Sequence, residues 1–278
     1  MENKSLKKEI SLFMATMLVC GNMIGSGVFM LPSTLAQVAG PGATVIAWIL
    51  TTVGSILIAI SFANLGAKYP STGGAYQYTK EAFGDFAGFL SAWLYWNGSW
   101  IGNAAIIVAI TSYASAVIPI LNNPMISIIF SSSILWIFTL INIAGVKKAG
   151  RIQSFVTVFK IGFFALFIVV AFLNFDKSNI LPLYPQGKGL STIPLAATST
   201  LWAFVGLESA TVAAGELKDP EKNVKKSTIY GIIIAATIYL LISIGSMGAM
   251  SNAELAQSSA PLTDILRHSL GNEVGKLL

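Results

Sequence analysis

Cysteine and histidine, two residue types that often mark functional sites, are almost missing from this sequence. It has one of each, Cys20 and His268. A disulfide framework needs pairs of cysteines, and a structural Cys/His zinc site needs four ligands. The composition therefore excludes a disulfide-stapled fold and a zinc centre of this kind. We expect no metal, no cofactor and no catalytic residues.

Charged residues are also scarce. They make up 10% of the 278 residues, whereas 54% are hydrophobic and the mean hydropathy is +0.72. Soluble domains carry about 25% charged residues. The net charge of +5 is spread too thinly for a nucleic-acid groove. The composition indicates a polytopic membrane protein that is embedded in the lipid bilayer and has no nucleic-acid partner.

Long apolar segments, in contrast, are abundant. A helix needs about 20 apolar residues to cross roughly 30 Å of hydrocarbon. The segments that we predict as membrane spans are 10–38, 43–67, 85–118, 125–145, 152–174, 191–215 and 228–250. The tail that follows them is polar and amphipathic. The predicted fold is therefore all-α.

Lysine and arginine are distributed unevenly between the loops that join these segments. Twelve of them fall on the side of the N-terminus and four on the opposite side, with Lys160 left inside the fifth segment. Cytoplasmic loops carry the excess of positive residues in membrane proteins. We therefore expect a multi-pass membrane protein with a cytoplasmic N-terminus.

The first and sixth segments each contain glycine and small polar residues near their middle. The first has Gly25-Ser26-Gly27 within "GNMIGSGVF", and the sixth has Gly206 within "LWAFVGLESATVAAG". Glycine weakens a helix, and backbone groups freed in hydrocarbon need other partners. Two interrupted helices five spans apart are typical of transporters built from inverted repeats. The alternative is that Gly21 and Gly25 form a G-x-x-x-G motif that only packs helices.

The backbone groups freed at the first interruption suit the two ends of an α-amino acid. Amides at the start of the outer half-helix lie at the positive end of its dipole, where a carboxylate is favoured. Carbonyl groups just before the interruption are suited to an ammonium group. The pattern therefore predicts that an α-amino acid binds at this point.

Glu208 is the one acidic residue of the sequence that falls inside a predicted span. A carboxylate in hydrocarbon is costly, so an acidic residue at this depth is functional by default. The alternative is a protonated Glu208 that hydrogen-bonds a neighbouring helix. We predict that Glu208 is the protonation-sensitive group of the protein.

Three stretches resemble the amino acid–polyamine–organocation superfamily, and within it most closely the basic amino acid/polyamine antiporters. They are "GNMIGSGVFMLP", "PSTGGAYQY" and "LWAFVGLESATVAAGELKDPEKNV". The resemblance implies a transporter of the plasma membrane, with an inverted-repeat fold and discontinuous first and sixth helices. We expect one permease domain over 1–278 that is truncated after about seven spans. It would contain a first five-helix repeat at 10–174 and the start of a second repeat at 191–278.

The resemblance also implies a set of substrate-binding residues. Ser26 and the amide of Gly27 would hold the substrate carboxylate, and the carbonyl of Met23 would hold the amino group. The implied set is Asn22, Met23, Ile24, Gly25, Ser26, Gly27, Gly98, Ser99, Asn103, Ile106, Trp202 and Val205.

Three of these residues would contact other parts of the substrate. Trp202 would stack over it and gate it, Val205 would line the amino-group pocket, and Asn103 would reach the side-chain end. The alternatives are that Trp202 only packs within the helix bundle and that Asn103 makes a hydrogen bond between helices.

Four positions distinguish the sequence from the arginine/agmatine exchanger of this family. Gly98 and Ser99 stand where the exchanger has Ala-Cys, and Ile106 replaces a Met, which leaves the choice of substrate open. Lys160 resembles instead the fifth-span lysine of proton-coupled permeases in the same superfamily, and would be a second proton-coupling group. The alternative is that its side chain extends to the cytoplasmic surface.

The expected function is secondary active transport of amino acids, by exchange or by proton-coupled uptake. Cationic amino acids or their decarboxylated amines (polyamines) are the expected substrates, and protons and a homodimer are further expected partners. The alternatives are an inactive transporter fragment and a membrane amino acid sensor without flux. An intramembrane enzyme is not expected, because catalysis would need a second ionisable group beside Glu208. The spans offer only Lys160, on a different helix.

Overall fold

The computed structural model describes residues 8–25, 27–69, 71–185 and 187–271. The α-helices are α1 (Leu12–Met23), α2 (Gly27–Val38), α3 (Pro41–Lys68), α4 (Ala75–Phe83), α5 (Asp85–Val117), α6 (Pro124–Ile143), α7 (Val146–Leu173), α8 (Ile193–Trp202), α9 (Ser209–Val212), α10 (Pro220–Ala249), α11 (Asn252–Gln257) and α12 (Pro261–Leu270). Short 3-10 helices lie at Pro119–Asn122, Lys177–Ile180, Leu190–Thr192 and Ala214–Glu216. The described residues form no β-strand, and one isolated bridge joins Ile10 to Leu217.

Helices lie on all seven segments that the sequence predicts as spans. Within the described residues, α3, α6, α7 and α10 are each long and apolar enough to cross a membrane, and α1 with α2 forms a fifth candidate with a bend of 42°. The third segment is α5, and the sixth is divided between α8 and α9. The prediction of an all-α fold with discontinuous first and sixth helices is confirmed.

Two of the helices begin six or more residues earlier than the sequence predicts. Helix α7 starts at Val146 instead of residue 152, and α10 starts at Pro220 instead of residue 228. Apolar windows detect only the part of a helix that lies in hydrocarbon, whereas the helix continues into the polar loop. Proline at the first position of α10 favours this start because no backbone N–H is needed there.

The core of the molecule is built around α10. This helix packs against α3, α1 and α7, and most of its inward face is buried. Helix α6, in contrast, has no buried residues, and the aromatic side chains at the start of α5 are exposed. Apolar side chains on these outer helices are compatible with a lipid environment.

Candidate functional site

The two interruptions lie side by side. Asn22, one residue before the end of α1, donates a hydrogen bond from Nδ2 to Ser209 Oγ at 2.7 Å. Gly206 has a φ of +105°, and a Cβ at this position would lie 3.1 Å from the carbonyl carbon of Asn22 and 3.2 Å from the nitrogen of Met23. Only glycine allows both this conformation and this approach. Gly206 therefore brings the interruption between α8 and α9, which we call the sixth break because it lies in the sixth span, against the interruption between α1 and α2, which we call the first break.

The first break leaves backbone groups outside the helical pattern. Helix α1 ends at Met23, after which the amide of Gly25 donates to the Met23 carbonyl at 2.8 Å. A side chain at Gly25 would meet no atom within 4 Å, so space is open here. Ser26 lies outside the described residues, and α2 begins at Gly27. The amide of Gly27 is one of the first in α2, where N–H groups have no partner within the helix.

Lys160 of α7 binds directly to the first break. Its Nζ donates to the carbonyl of Gly21 at 3.0 Å and to that of Ile24 at 2.7 Å. The half-buried side chain is therefore directed at the interruption and not at the cytoplasmic surface. A lysine ammonium here supplies the donors that two freed carbonyls require in hydrocarbon.

The side chains of Trp202 and Val205 project from the sixth break on its open side. They are 72% and 59% exposed, although the residues between them are buried. The indole of Trp202 lies over the first turn of α2, with Cδ1 3.9 Å from the position that a Cβ of Gly27 would take. The structure thus places a large aromatic face beside the start of α2.

Glu208 is bound to its surroundings through both carboxylate oxygens. Oε1 accepts a hydrogen bond from the Tyr95 hydroxyl at 3.3 Å, and Oε2 accepts one from the amide of Gly206 at 3.2 Å. The carboxylate therefore satisfies a backbone amide freed by the sixth break and joins that break to α5. Protonation of Glu208 would weaken both contacts, because a neutral carboxyl is a poorer acceptor.

The four expected residues of α5 are exposed along this helix: Gly98, Ser99, Asn103 and Ile106. Ser99 Oγ donates within the helix, to the carbonyl of Tyr95 at 2.7 Å. In the part of the chain that the structure describes, none of the four hydrogen-bonds to either break. The hydrogen bond from α5 to the sixth break comes from Tyr95, one turn before Ser99.

Two residues at the site were not among those expected from the sequence. Ser209 follows Glu208 directly in the sixth span, so its small polar side chain beside the break could have indicated a role at the site. Tyr95 lies 113 residues before Glu208, and only the folded arrangement shows that they meet.

Comparison with known proteins shows the family to which the chain belongs. The family model described as amino acid permease matches residues 10–278. The chain is 33% identical over 268 residues to an arginine/ornithine antiporter of Pseudomonas aeruginosa, covering 92% of this chain and 55% of that protein. It is 32% identical over 276 residues to a cadaverine/lysine antiporter of Escherichia coli, covering 99% and 62%. An arginine/ornithine antiporter of Latilactobacillus sakei is 32% identical over 270 residues, covering 94% and 56%.

The chain thus spans between 55% and 62% of the length of these relatives. The relatives are named as antiporters, which agrees with the expectation of a transporter family and not of an enzyme family.

Proposed function

The chain belongs to the amino acid permease family, within the amino acid–polyamine–organocation superfamily, and on this basis we propose that it carries the substrate site of a secondary active amino acid transporter. It is a multi-pass membrane protein. Transport would proceed by exchange or by proton-coupled uptake. The observation that supports this most is the junction of two interrupted helices, with open space at Gly25.

The junction offers a partner for each end of an α-amino acid. The substrate carboxylate would accept from Ser26 and from the amide of Gly27, at the positive end of α2. The amino group would donate to the carbonyl of Met23. Asn22 would hold the two breaks together through Ser209, as it does in the structure. Ile24, which is fully buried, would fix the end of α1.

We propose that the substrates are cationic amino acids or their decarboxylated amines. Relatives of the chain are named as arginine/ornithine and cadaverine/lysine antiporters. The exposed indole of Trp202 offers a face for a cation–π contact, and Val205 lines the same side. The side-chain end of the substrate would extend towards α5, where Gly98, Ser99, Asn103 and Ile106 would set the choice among cations.

Glu208 and Lys160 would couple protons to this transport. Each holds backbone groups of one break, Glu208 at the sixth and Lys160 at the first. Gain or loss of a proton at either group would change those contacts, and so would change how the two breaks meet. This links the protonation state directly to the shape of the site.

The placement in the cell and the repeat organisation are part of the same proposal. The protein would reside in the plasma membrane with its N-terminus in the cytoplasm. Residues 10–174 would form the first five-helix repeat and 191–278 the start of the second. Alternating access rocks one repeat against the other, so transport would need a complete second repeat.

The experiment that tests the proposal compares four ligands. The purified protein in lipid nanodiscs would be titrated calorimetrically with arginine, lysine, leucine and putrescine. We expect arginine and lysine to bind most tightly, since they carry both a carboxylate and a cationic side chain. Putrescine should bind more weakly because it has no carboxylate for Gly27.

Three outcomes would contradict parts of the proposal. Tightest binding of putrescine would show that the carboxylate role of Ser26 and Gly27 is wrong. Tightest binding of leucine would show that the site does not prefer cationic substrates. Tight binding combined with no flux when residues 1–278 are extended to the length of the relatives would favour a sensor.

A further inference from the structure

A buried aromatic cluster lies behind the sixth break, on the side away from the proposed substrate. It consists of Trp48 of α3, Phe204 of the break and Tyr239 of α10, and we call it the aromatic clamp. Each of the three side chains is at most 1% exposed. Trp48 stacks on Tyr239 with 5.3 Å between ring centroids. Phe204 meets Trp48 at 6.1 Å and Tyr239 at 5.8 Å, both in edge-to-face geometry.

The polar atoms of the clamp are satisfied by specific partners. The Tyr239 hydroxyl donates to the carbonyl of Ala203 at 3.0 Å. The Trp48 indole donates to Ser243 Oγ at 2.8 Å, and Ser243 lies one turn beyond Tyr239 on α10. The carbonyls at the end of a helix have no intrahelical partner. Tyr239 therefore satisfies a backbone carbonyl that the end of α8 would otherwise leave buried and unpaired.

The clamp holds one side of the break while the other side faces the open space. Ala203 and Phe204 are buried, whereas Trp202 before them and Val205 after them are exposed. Fixing the carbonyl of Ala203 and the ring of Phe204 therefore also fixes the direction in which Trp202 and Val205 project. This explains how an interrupted segment, with little helical structure of its own, can present a defined face.

We propose that Tyr239 and Trp48 are positioning residues of the substrate site, which hold the sixth break so that Trp202 and Val205 stand against the first break. The proposal rests on the proposed function for the identity of the ligand. The positioning itself is a property of the ligand-free protein. It can therefore be tested separately from substrate binding.

The test is hydrogen–deuterium exchange of the protein in nanodiscs without ligand, read on the segment 203–208. The variant Tyr239→Phe keeps the ring and removes only the hydroxyl. We expect exchange in this segment to rise about fivefold, the factor for one net hydrogen bond. The matched control is Tyr230→Phe on the same helix, whose side chain is 48% exposed. It should leave exchange in 203–208 unchanged.

A second variant and a second measurement make the outcome decisive. Ser243→Ala removes the acceptor of the Trp48 indole and should raise exchange in 203–208 to a smaller extent. This variant still tests the clamp if Tyr239→Phe does not fold. Arginine binding by Tyr239→Phe should weaken about fivefold. Unchanged exchange in both variants, or an equal rise in α7, would overturn the clamp. A wild-type protein that binds no arginine would instead overturn the proposed function, whatever the exchange data show.

Discussion

At the scale of single residues, two ionisable side chains form hydrogen bonds with backbone groups at the two breaks. Lys160 supplies donors to the carbonyls of Gly21 and Ile24, and Glu208 supplies an acceptor to the amide of Gly206. In hydrocarbon such backbone groups must be paired within the protein. A charged group that serves this purpose connects protonation to the conformation of the helix it holds.

Replacing Lys160 should therefore reduce the exchange of protons that accompanies substrate binding. We predict that Lys160→Ala still binds arginine but takes up or releases fewer protons than the wild-type protein when arginine binds. The measurement is calorimetry in two buffers of different ionisation enthalpy. The matched control is Lys148→Ala, at the exposed start of α7. An unchanged proton count in Lys160→Ala would show that Lys160 only stabilises the first break.

Sequence reasoning identified both ionisable residues because they stand alone in apolar segments. It left two interpretations of Lys160 open, and the 2.7 Å hydrogen bond from Lys160 Nζ to the carbonyl of Ile24 favours contact with the first break. It did not find Tyr95 or Tyr239, since tyrosine is common in membrane helices and carries no spacing signal. Their partners are distant in sequence, so the contacts follow only from how α5 and α10 pack.

At the scale of elements, the approach of the two broken helices depends on Gly206. A residue with a side chain at this position would have to adopt a φ of +105°, and its Cβ would press on Asn22 and Met23. The interruptions themselves could be predicted, because glycine and small polar residues in an apolar run signal a break. Their mutual distance could not be predicted, since it depends on the way that α10 packs against α1 and α3.

Gly206→Ala should consequently destabilise the protein by about 1–3 kcal/mol through backbone strain. The thermal midpoint of the protein in detergent should fall, and arginine binding should weaken because the breaks are forced apart. Gly102→Ala on α5 is the matched control, since no atom lies within 4 Å of its added methyl group. That change should be neutral or slightly stabilising. Equal behaviour of the two variants would contradict the close approach at Gly206.

At the scale of the whole molecule, α10 is the central helix, which packs against α3, α1 and α7 and also contacts α2 and α9 beside the two breaks. Composition predicted the membrane class and the all-α fold, because low charge and seven apolar segments leave few alternatives. The ends of α7 and α10 were predicted less well, since helices extend beyond the hydrocarbon. The role of α5 in the site stays a prediction: its expected substrate residues are exposed, and among the described residues the hydrogen bond from α5 to a break comes from Tyr95.

The central claim is that an amino acid binds where the two interrupted helices meet, beneath the indole of Trp202. The most direct measurement is binding of radiolabelled arginine to the protein in nanodiscs, with Trp202→Ala compared with Trp136→Ala. Trp136 is similarly exposed, at 62%, but lies on the outer helix α6. We predict that Trp202→Ala weakens binding about tenfold or more through loss of the aromatic face, while Trp136→Ala binds as the wild type does. Undiminished binding by Trp202→Ala, or equal losses in both variants, would contradict this account.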